Sequence, residues 1–247
     1  MHRFYLASGT FAEKLVVFPE TLVHQIRNVL RMRPGEEVIV FDGTGREYLI
    51  TLQEVSRQVV EGEITKVYQG RGEPSLGISL FQALLKRDNF EWALQKGTEV
   101  GIANFTPILT ARVIAESRGE SKRERWQRTI IEAAEQSGRC LIPHLNPVKV
   151  LEAVTADRSS FDLPLFLHTG VSSRPLREAL ERWGSEHPGV MPHTALMVGP
   201  EGGFTEEEAH LASAQGWIEV SLGNTILRAE TAGTVAAANL IYHFSRY

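Results

Sequence analysis

Three glycine-containing segments lie in the C-terminal third of the chain, each directly after an apolar run typical of a strand. They are residues 167–170 (LHTG), 199–206 (GPEGGFTE) and 222–232 (LGNTILRAETA). Glycine allows backbone N–H groups to approach a ligand closely, and a helix that begins in such a loop adds further free N–H groups. We therefore take these strand ends as the places best suited to chemistry.

The charges around residues 199–206 argue against a nucleotide phosphate as the ligand. A P-loop needs Gly-Lys-Ser/Thr after its glycines, whereas this loop contains Glu201 and is followed by three further glutamates. A ligand of low negative charge, or one with cationic groups, fits these carboxylates better. Thr205 and Glu208 predict a capping box for the next helix. An ordinary tight turn between a strand and a helix would show the same glycines.

Residues 222–232 contain one basic side chain, Arg228, just before the last helix. Arg228 has the spacing to pair with Glu230, and Glu230 and Thr231 have the spacing to cap that helix. Small residues dominate 231–238, which permits another backbone to pack closely. A plain buried helix would have the same composition.

The elements that position these loops belong to the second of two regions. Strands and helices alternate from residue 78 onward, which predicts an α/β fold with a mostly parallel sheet and helices on both faces. In such sheets ligands bind in loops at the carboxyl ends of the strands. Short β-branched and aromatic runs before residue 70 predict a small, mostly antiparallel β domain. We place the domains at residues 1–70 and 76–247, with a linker at about 70–75.

Two local features are predicted within the first region. The turn 42–45 (DGTG) joins two strands, and its glycines permit positive φ. One amphipathic helix is expected after Pro19, because apolar residues recur at helical spacing at Leu22, Ile26, Val29 and Leu30.

Composition restricts the environment and the partners of the chain. The single cysteine among 247 residues, Cys140, excludes a disulfide framework, so we expect a buried thiol in a cytoplasmic protein. No apolar run approaches the roughly 20 residues of a membrane span, and the eight histidines show no HExxH or similar spacing. We therefore expect neither a membrane nor a metal ion as a partner.

The net charge of −4 is unevenly distributed. Residues 140–247 hold 7 Lys and Arg against 12 Asp and Glu, whereas residues 1–35 and 118–128 each hold five basic side chains against two acidic ones. A solvated face is the simplest interpretation of either basic cluster alone. Two clusters beside an acidic C-terminal third favour two separate functions, because nucleic acid requires a basic surface.

The motif G-P-E-G-G after a strand, and L-G-x-x-I-L-R-x-E-T-A about twenty residues later, resemble the SPOUT class of methyltransferases. Within that class the chain is similar to the RsmE family, the uracil-N3 methyltransferases of small-subunit (16S) ribosomal RNA. Weaker matches extend over nearly the whole chain, at residues 2–5, 24–31, 42–43, 96–101 and 135–139. Val100 stands where that family is expected to have leucine.

The resemblance implies a C-terminal SPOUT domain with a deep trefoil knot, a small PUA-like RNA-binding β-barrel before it, and a homodimer. It also implies that S-adenosyl-L-methionine binds in the knot loops. This cofactor carries a sulfonium, an ammonium and one carboxylate, which suits an acidic glycine-rich loop. The cofactor-binding residues implied are Leu167, His168, Thr169, Val198, Gly199, Pro200, Glu201, Gly202, Leu222, Gly223, Ile226, Leu227 and Thr231.

Arg228 and Glu201 are the catalytic candidates under this resemblance. Methylation at uracil N3 requires loss of a proton, which leaves negative charge on the ring that Arg228 would stabilise. Glu201 would accept the proton or orient the base, and a purely structural role for this loop carboxylate is an equally weighted alternative.

Binding of ribosomal RNA, within the small ribosomal subunit, requires exposed basic side chains for the phosphates. His24 is equally well explained as an ordinary surface histidine. Arg139 lies beside Glu135 and Gln136 and has an active-site role as its alternative. The candidates are Arg3, His24, Arg27, Arg31, Arg33, Lys86, Arg87, Arg112, Lys122, Arg123, Arg125 and Arg139.

Two other functions are compatible with the sequence. A SPOUT methyltransferase acting on another atom, such as a ribose 2′-hydroxyl, would bind its cofactor in the same way. A non-catalytic RNA-binding assembly factor would keep the fold, although the intact residues 199–203 and Arg228 argue against it.

Overall fold

The computed structural model describes residues 1–7, 11–12, 14–70, 72–113, 119–170 and 173–244. The chain folds into two compact units, Met1–Glu73 with Ala134–Ile142, and Pro74–Ala133 with Pro143–Tyr247. The sequence interpretation assigned all of residues 76–247 to one domain, whereas Ala134–Ile142 packs with the N-terminal residues.

The N-terminal unit is built on a six-stranded sheet. Its strands are β1 (Arg3–Tyr5), β2 (Phe11–Ala12), β3 (Leu15–Val17), β4 (Glu37–Phe41), β5 (Arg46–Val55) and β6 (Val60–Gln69). They lie in the order β1-β4-β5-β6-β3-β2, and the pairs are antiparallel except for β1 with β4. Buried apolar side chains such as Phe4, Val38 and Ile50 form the core. The predicted small, mostly antiparallel β structure is confirmed.

The helix predicted after Pro19 is less regular than its sequence pattern. Helix α1 covers Glu20–His24 and continues as a π-helix over Gln25–Val29. Because each hydrogen bond in a π-helix spans five residues, the side chains that follow are rotated relative to an α-helix. Ile26 is buried as predicted, but Val29 is 64% exposed, so its assignment to the apolar face was wrong.

The turn at residues 42–45 has the predicted positive φ at Gly43 (+79°) and Gly45 (+98°). The Asp42 carboxylate accepts hydrogen bonds from the Thr44 N–H at 2.8 Å and from the Tyr48 hydroxyl at 3.0 Å. Burial alone would raise the pKa of Asp42, but these hydrogen bonds stabilise the charged form, so the pKa lies below its ordinary value.

Glu73 ties residues 134–142 to the N-terminal unit. Its carboxylate accepts hydrogen bonds from the Arg139 guanidinium at 2.8 Å, from the Cys140 N–H at 2.9 Å and from the Leu141 N–H at 2.8 Å. Cys140 is buried as predicted, and this burial, together with the neighbouring carboxylates, raises the pKa of its thiol to about 11. The thiol is therefore unreactive at neutral pH.

The C-terminal unit is built on a parallel sheet. Its strands are β7 (Ile78–Ala83), β8 (Asn104–Leu109), β9 (His144–Leu145), β10 (Lys149–Val150), β11 (Leu163–Leu167), β12 (Arg174–Pro175), β13 (Thr194–Val198) and β14 (Ile218–Ser221). The order is β10-β8-β7-β13-β11-β14-β12, with β9 paired to β8. The strand pairs are parallel, so their carboxyl ends meet at one edge and the predicted sheet type is confirmed. The trefoil knot, which concerns how loops thread through one another, stays a prediction.

Helices cover both faces of this sheet, as predicted. They are α2 (Asn89–Val100), α3 (Glu120–Ser137), α4 (Leu151–Ala156), α5 (Leu176–Glu186), α6 (Glu206–Ala214) and α7 (Ala229–Phe244). Alternate strand residues point to opposite faces, and Phe81 and Met197 pack with α4 and α6. On the other face, a Cβ at Gly233 of α7 would lie 3.1 Å from Leu80 and 3.5 Å from Val198. The small residues of α7 therefore allow its close approach to the sheet.

Candidate active site

A cavity of about 600 Å³ lies at the carboxyl ends of β11, β13 and β14. The three segments singled out in the sequence form its walls, so they meet in space although they are far apart in the chain. The residues predicted to bind the cofactor, except Thr231, line this cavity, and so does Arg228. The sheet therefore brings the predicted strand ends together at one site.

Thr231 lies in the first turn of α7, where its N–H donates to the Arg228 carbonyl at 2.9 Å. The sequence interpretation missed other lining residues, which are Asn89, Gly203, Val220, Ser221, Thr225, Ala229, Glu230 and Ala232. Most of these residues lie inside the three segments or directly before them, so their position in the sequence could have identified them. Asn89 begins α2 after β7, and no motif in the sequence marks it.

Arg228 is the basic residue that lines the described cavity, and its guanidinium is exposed. Its side chain is 85% exposed, and its Nη1 lies 3.9 Å from Oε1 of Glu230, whose side chain is only 9% exposed. That separation is too long for a strong hydrogen bond. The guanidinium is therefore available to a negative charge that enters the cavity.

Glu201 is anchored to the loop that follows β7. The Lys86 N–H donates to its Oε1 at 2.9 Å, across 115 residues of sequence. This contact joins the 199–205 loop to the segment that follows β7 at the carboxyl edge of the sheet. The carboxylate is thus held in place, which is compatible with the predicted orienting role and with a structural role.

Arg112 and Glu208 attach the same loop to the end of β8. The Arg112 Nη1 donates to the carbonyls of Gly202 at 2.7 Å and Phe204 at 3.1 Å, and the Ala111 N–H donates to Glu208 Oε1 at 2.7 Å. The predicted capping box of α6 is confirmed by reciprocal hydrogen bonds between residues 205 and 208. The guanidinium of Arg112, which was predicted to contact RNA, donates hydrogen bonds to carbonyls of the 199–205 loop instead.

The ring of His168 is held against the cavity by two partners. Its Nδ1 lies 3.0 Å from Oε1 of Glu219, and that carboxylate also accepts a hydrogen bond from the Ser173 hydroxyl. The ring stacks on Phe166 at an interplanar angle of 26°. This packing gives the wall next to residues 167–169 a defined shape.

Two basic residues predicted to contact RNA form ion pairs within the protein instead, Arg139 buried and Arg3 partly buried. The Arg3 guanidinium lies 2.6 Å from Glu47, and Arg139 lies 2.8 Å from Glu73. Both guanidiniums face protein groups, so neither is presented to an RNA phosphate in this arrangement. Arg139 is not among the residues that line the cavity, and its partner Glu73 belongs to the N-terminal unit, so these contacts give no support to the active-site alternative.

The other predicted RNA contacts lie on the surface, except for Arg27, which is partly buried. The Arg123 guanidinium donates to the Leu145 carbonyl, and Arg125 pairs with Asp88 and Glu91. Arg118 of the second basic cluster falls outside the described residues. The exposed candidates are His24, Arg31, Arg33, Lys86, Arg87, Lys122, Arg123 and Arg125.

Two further observations concern metals and membranes. Within the described ranges, no group of three or more His, Cys, Asp or Glu side chains is arranged to hold a metal ion. No helix in the part of the chain that the structure describes is long and apolar enough to cross a membrane.

The fold and cavity define an α/β protein whose ligand site is built by loops at the carboxyl edge of a parallel sheet. The RNA methyltransferase domain model matches residues 72–241, and the RNA methyltransferase PUA domain model matches residues 21–65. The chain belongs to this RNA methyltransferase family, with a PUA-like domain at its N-terminal end.

Individual relatives resemble the chain over most of its length. Ribosomal RNA small subunit methyltransferase E of Synechocystis sp. is 34% identical over 95% of this chain and 78% of its own length. The Bacillus subtilis protein of that name is 32% identical over 89% of this chain and 87% of its own length. The crystal structure of the Neisseria gonorrhoeae protein, bound to S-adenosyl methionine, has a TM-score of 0.85 at 32% identity and covers 97% of this chain and 96% of that one.

Proposed function

We propose that this chain transfers a methyl group from S-adenosyl-L-methionine to N3 of a specific uridine in the 16S ribosomal RNA of the small subunit. The observation that carries the proposal is the convergence of three glycine-containing strand ends and Arg228 on one cavity. The relatives named as small-subunit methyltransferases, and the one solved with S-adenosyl methionine, support it.

The cavity suits this cofactor in size and charge. Its volume of about 600 Å³ lies within the roughly 300–1,000 Å³ of typical ligand pockets. Its lining offers two carboxylates, Glu201 and Glu230, for cationic groups, and many exposed backbone groups at glycines. Gly223, at φ +118°, adopts a conformation that L side chains rarely tolerate, so its backbone can face the ligand without strain. We assign cofactor binding to the residues lining this cavity.

The chain's residues prepare uracil N3 as a nucleophile. When bound, S-adenosylmethionine supplies an electrophilic methyl group on a sulfonium. N3 must lose its proton, and the resulting negative charge spreads over the ring and its carbonyl oxygens. Arg228 stabilises this charge by hydrogen bonding from its guanidinium. Glu201, held by the Lys86 N–H, accepts the N3 proton or orients the base.

The substrate and the assembly follow from the same proposal. The RNA is bound as part of the small ribosomal subunit, in the cytoplasm, by the exposed basic residues of both units. The active form is a homodimer, which presents each basic cluster twice. Strong dependence of RNA binding on salt is expected, because cation–phosphate contacts release counterions.

The experiment that tests this function measures methyl incorporation from labelled S-adenosylmethionine. Purified protein is incubated with 30S subunits and, separately, with naked 16S RNA, and the label in each RNA is counted. We expect incorporation into at least one of the two forms and binding of the cofactor in calorimetry. Cofactor binding without transfer to either RNA would contradict the proposed reaction, and absence of cofactor binding would support a non-catalytic assembly factor instead.

A further inference from the structure

A second cleft in the C-terminal unit lies beside the cofactor cavity. It has a volume of about 390 Å³ and lies between residues 84–88 and helices α2 and α3. Its rim carries four cations, and its lining includes two aromatic side chains, Phe90 and Trp126. A cleft of this size with a cationic rim and an apolar floor fits a nucleotide, because phosphates bind cations and a base can pack against apolar surface.

The charge of the rim is available to a ligand at two positions. Among the described residues, the exposed side chains of Lys86 and Arg87 have no hydrogen-bond or ion-pair partner. The acidic side chains of the lining, Asp88 and Glu91, are both paired with Arg125, at 3.1 and 2.6 Å. The four cations of the lining exceed its two carboxylates by two charges, so the cleft has a net positive potential.

The floor of the cleft is rigid and aromatic. The rings of Phe90 and Trp126 are 4.5 Å apart at an interplanar angle of 47°. Phe90 is 2% exposed and Trp126 is 7% exposed, so both are held by the core of the unit and only a small part of each side chain faces the cleft. A base that enters the cleft would meet a preformed apolar surface.

The cleft and the cofactor cavity share one backbone segment. Lys86, Arg87 and Phe90 line the cleft, whereas Asn89 lines the cofactor cavity. The hydrogen bond from the Lys86 N–H to Glu201 connects this segment to the 199–205 loop. Arg87 has φ +54°, a left-handed conformation that is uncommon for a non-glycine residue and is often found at functional sites.

We propose that this cleft is a subsite for a nucleotide of the RNA strand next to the methylated uridine. Lys86 and Arg87 bind its phosphate, and its base rests on the surface formed by Phe90 and Trp126. Besides its proposed role at the uracil, Glu201 holds the segment that separates the two sites, through the Lys86 N–H. The inference rests on the proposed function, since it assigns the flanking nucleotide to the same RNA substrate.

The test uses tryptophan fluorescence as a readout that is independent of activity. A hexamer of uridine ribonucleotides is titrated into the full-length protein, and Trp126→Phe identifies the part of the signal that comes from Trp126. We expect quenching in the wild type that is lost in W126F. For Arg87→Ala we expect about 5–20-fold weaker binding and a log–log salt slope smaller by about one. Arg87→Lys should retain the slope.

Arg182→Ala is the matched control, because Arg182 is an exposed arginine on α5 outside the cleft. It removes the same charge and should leave RNA affinity unchanged. Equal affinity and equal salt slope in wild type and R87A would overturn the subsite, as would an equal loss in R182A. Quenching by free uridine monophosphate without quenching by the hexamer would show a mononucleotide site and also overturn it.

Failure of the subsite can be separated from failure of the proposed function. Methyl transfer by the wild type, measured with labelled cofactor, tests the function alone. If the wild type transfers methyl groups while R87A binds RNA normally, only the subsite is wrong. If the subsite is correct, R87A should raise KM for RNA while the affinity for S-adenosylmethionine stays within about twofold of the wild type.

Discussion

Arg228 is the residue on which the proposed chemistry depends most. Replacing it with alanine removes the exposed guanidinium of the cavity and hence the stabilisation of the uracil anion. We expect turnover in R228A to fall about 10²–10³-fold, by analogy with the loss of one donor to a developing anion. Calorimetry should show cofactor affinity within about threefold of the wild type, because backbone groups of the three loops provide most of the binding.

Arg228→Lys provides the control for charge without geometry. Lysine keeps the positive charge but lacks the planar fork of donors, so its turnover should lie between those of the wild type and R228A. Unchanged turnover in R228A would remove Arg228 from the mechanism. A loss confined to cofactor affinity would make it a binding residue.

The types of the site residues were predictable from the sequence, but their burial was not. Arg3 belongs to the basic segment 1–35, and both Arg3 and Arg139 look like surface cations in the sequence. Their partners, Glu47 and Glu73, are 44 and 66 residues away in the chain. Such pairs become visible only when the fold brings distant segments together.

Asp42 gives the N-terminal unit a pH-dependent contribution to stability. Because its pKa in the folded state is lowered, the contribution is present above the unfolded pKa of about 4 and is lost as pH falls through the folded value. Asp42→Asn keeps the shape of the side chain but not its charge. We expect D42N to lower the free energy of unfolding by about 1–2 kcal/mol at pH 7.

Urea denaturation of wild type and D42N between pH 7 and pH 3.5 checks this expectation. The difference in unfolding free energy should shrink as the pH falls below about 4. A difference that stays constant over this range would show that the carboxylate charge contributes nothing, and that only the geometry of the turn matters.

Among the elements, the 199–205 loop is held by the segments that follow β7 and β8, which lie on one side of β13 in the order β8-β7-β13. Arg112, from the end of β8, donates to two carbonyls of the loop. Arg112→Ala leaves those carbonyls without their charged donor, so the loop loses its defined shape. We expect KM for S-adenosylmethionine to rise about 5–10-fold in R112A, which corresponds to about 1–1.4 kcal/mol, the net effect of roughly one ordinary hydrogen bond.

Arg182→Ala again serves as the control for the loss of one positive charge, and its KM for the cofactor should not change. A different result for R112A, with weaker RNA binding and normal cofactor affinity, would support the original prediction that Arg112 contacts RNA. Steady-state kinetics with each substrate varied in turn separates the two outcomes.

The loops of the site were predictable because their signals are local. Glycines, the capping box and the apolar strands before them all lie within about ten residues of one another. The contacts of Lys86 and Arg112 with the cofactor loop span 115 and 90 residues. These contacts depend on the strand order β8-β7-β13. The hydrophobic pattern of the sequence does not specify this order. The π-helix at Gln25–Val29 was missed because its apolar spacing imitates an α-helix.

For the molecule as a whole, we assign the interface of the proposed homodimer to a groove between α5 and α7. Tyr242 of α7 is 84% exposed and lines a groove of about 530 Å³ between α5 and α7. Residues 221–223 line both this groove and the cofactor cavity. A second copy seated here would cover exposed apolar side chains and complete the wall of the active site.

We expect the native protein to have twice the 27.5 kDa mass of the chain in light-scattering measurements. Tyr242→Glu places a charge on the exposed face, so it should produce monomer and reduce methyl transfer. Tyr242→Phe should remain dimeric. A monomeric wild type with full activity, or a dimeric Y242E, would contradict this assignment of the interface.

If the cavity methylates N3 of a uridine, the methyl group of the product lies on that ring nitrogen. Small-subunit RNA methylated by the purified protein is digested to nucleosides and analysed by mass spectrometry with synthetic standards. We expect the wild type to produce 3-methyluridine and R228A to produce almost none. A 2′-O-methylated nucleoside, or 3-methyluridine formed equally by R228A, would contradict this expectation.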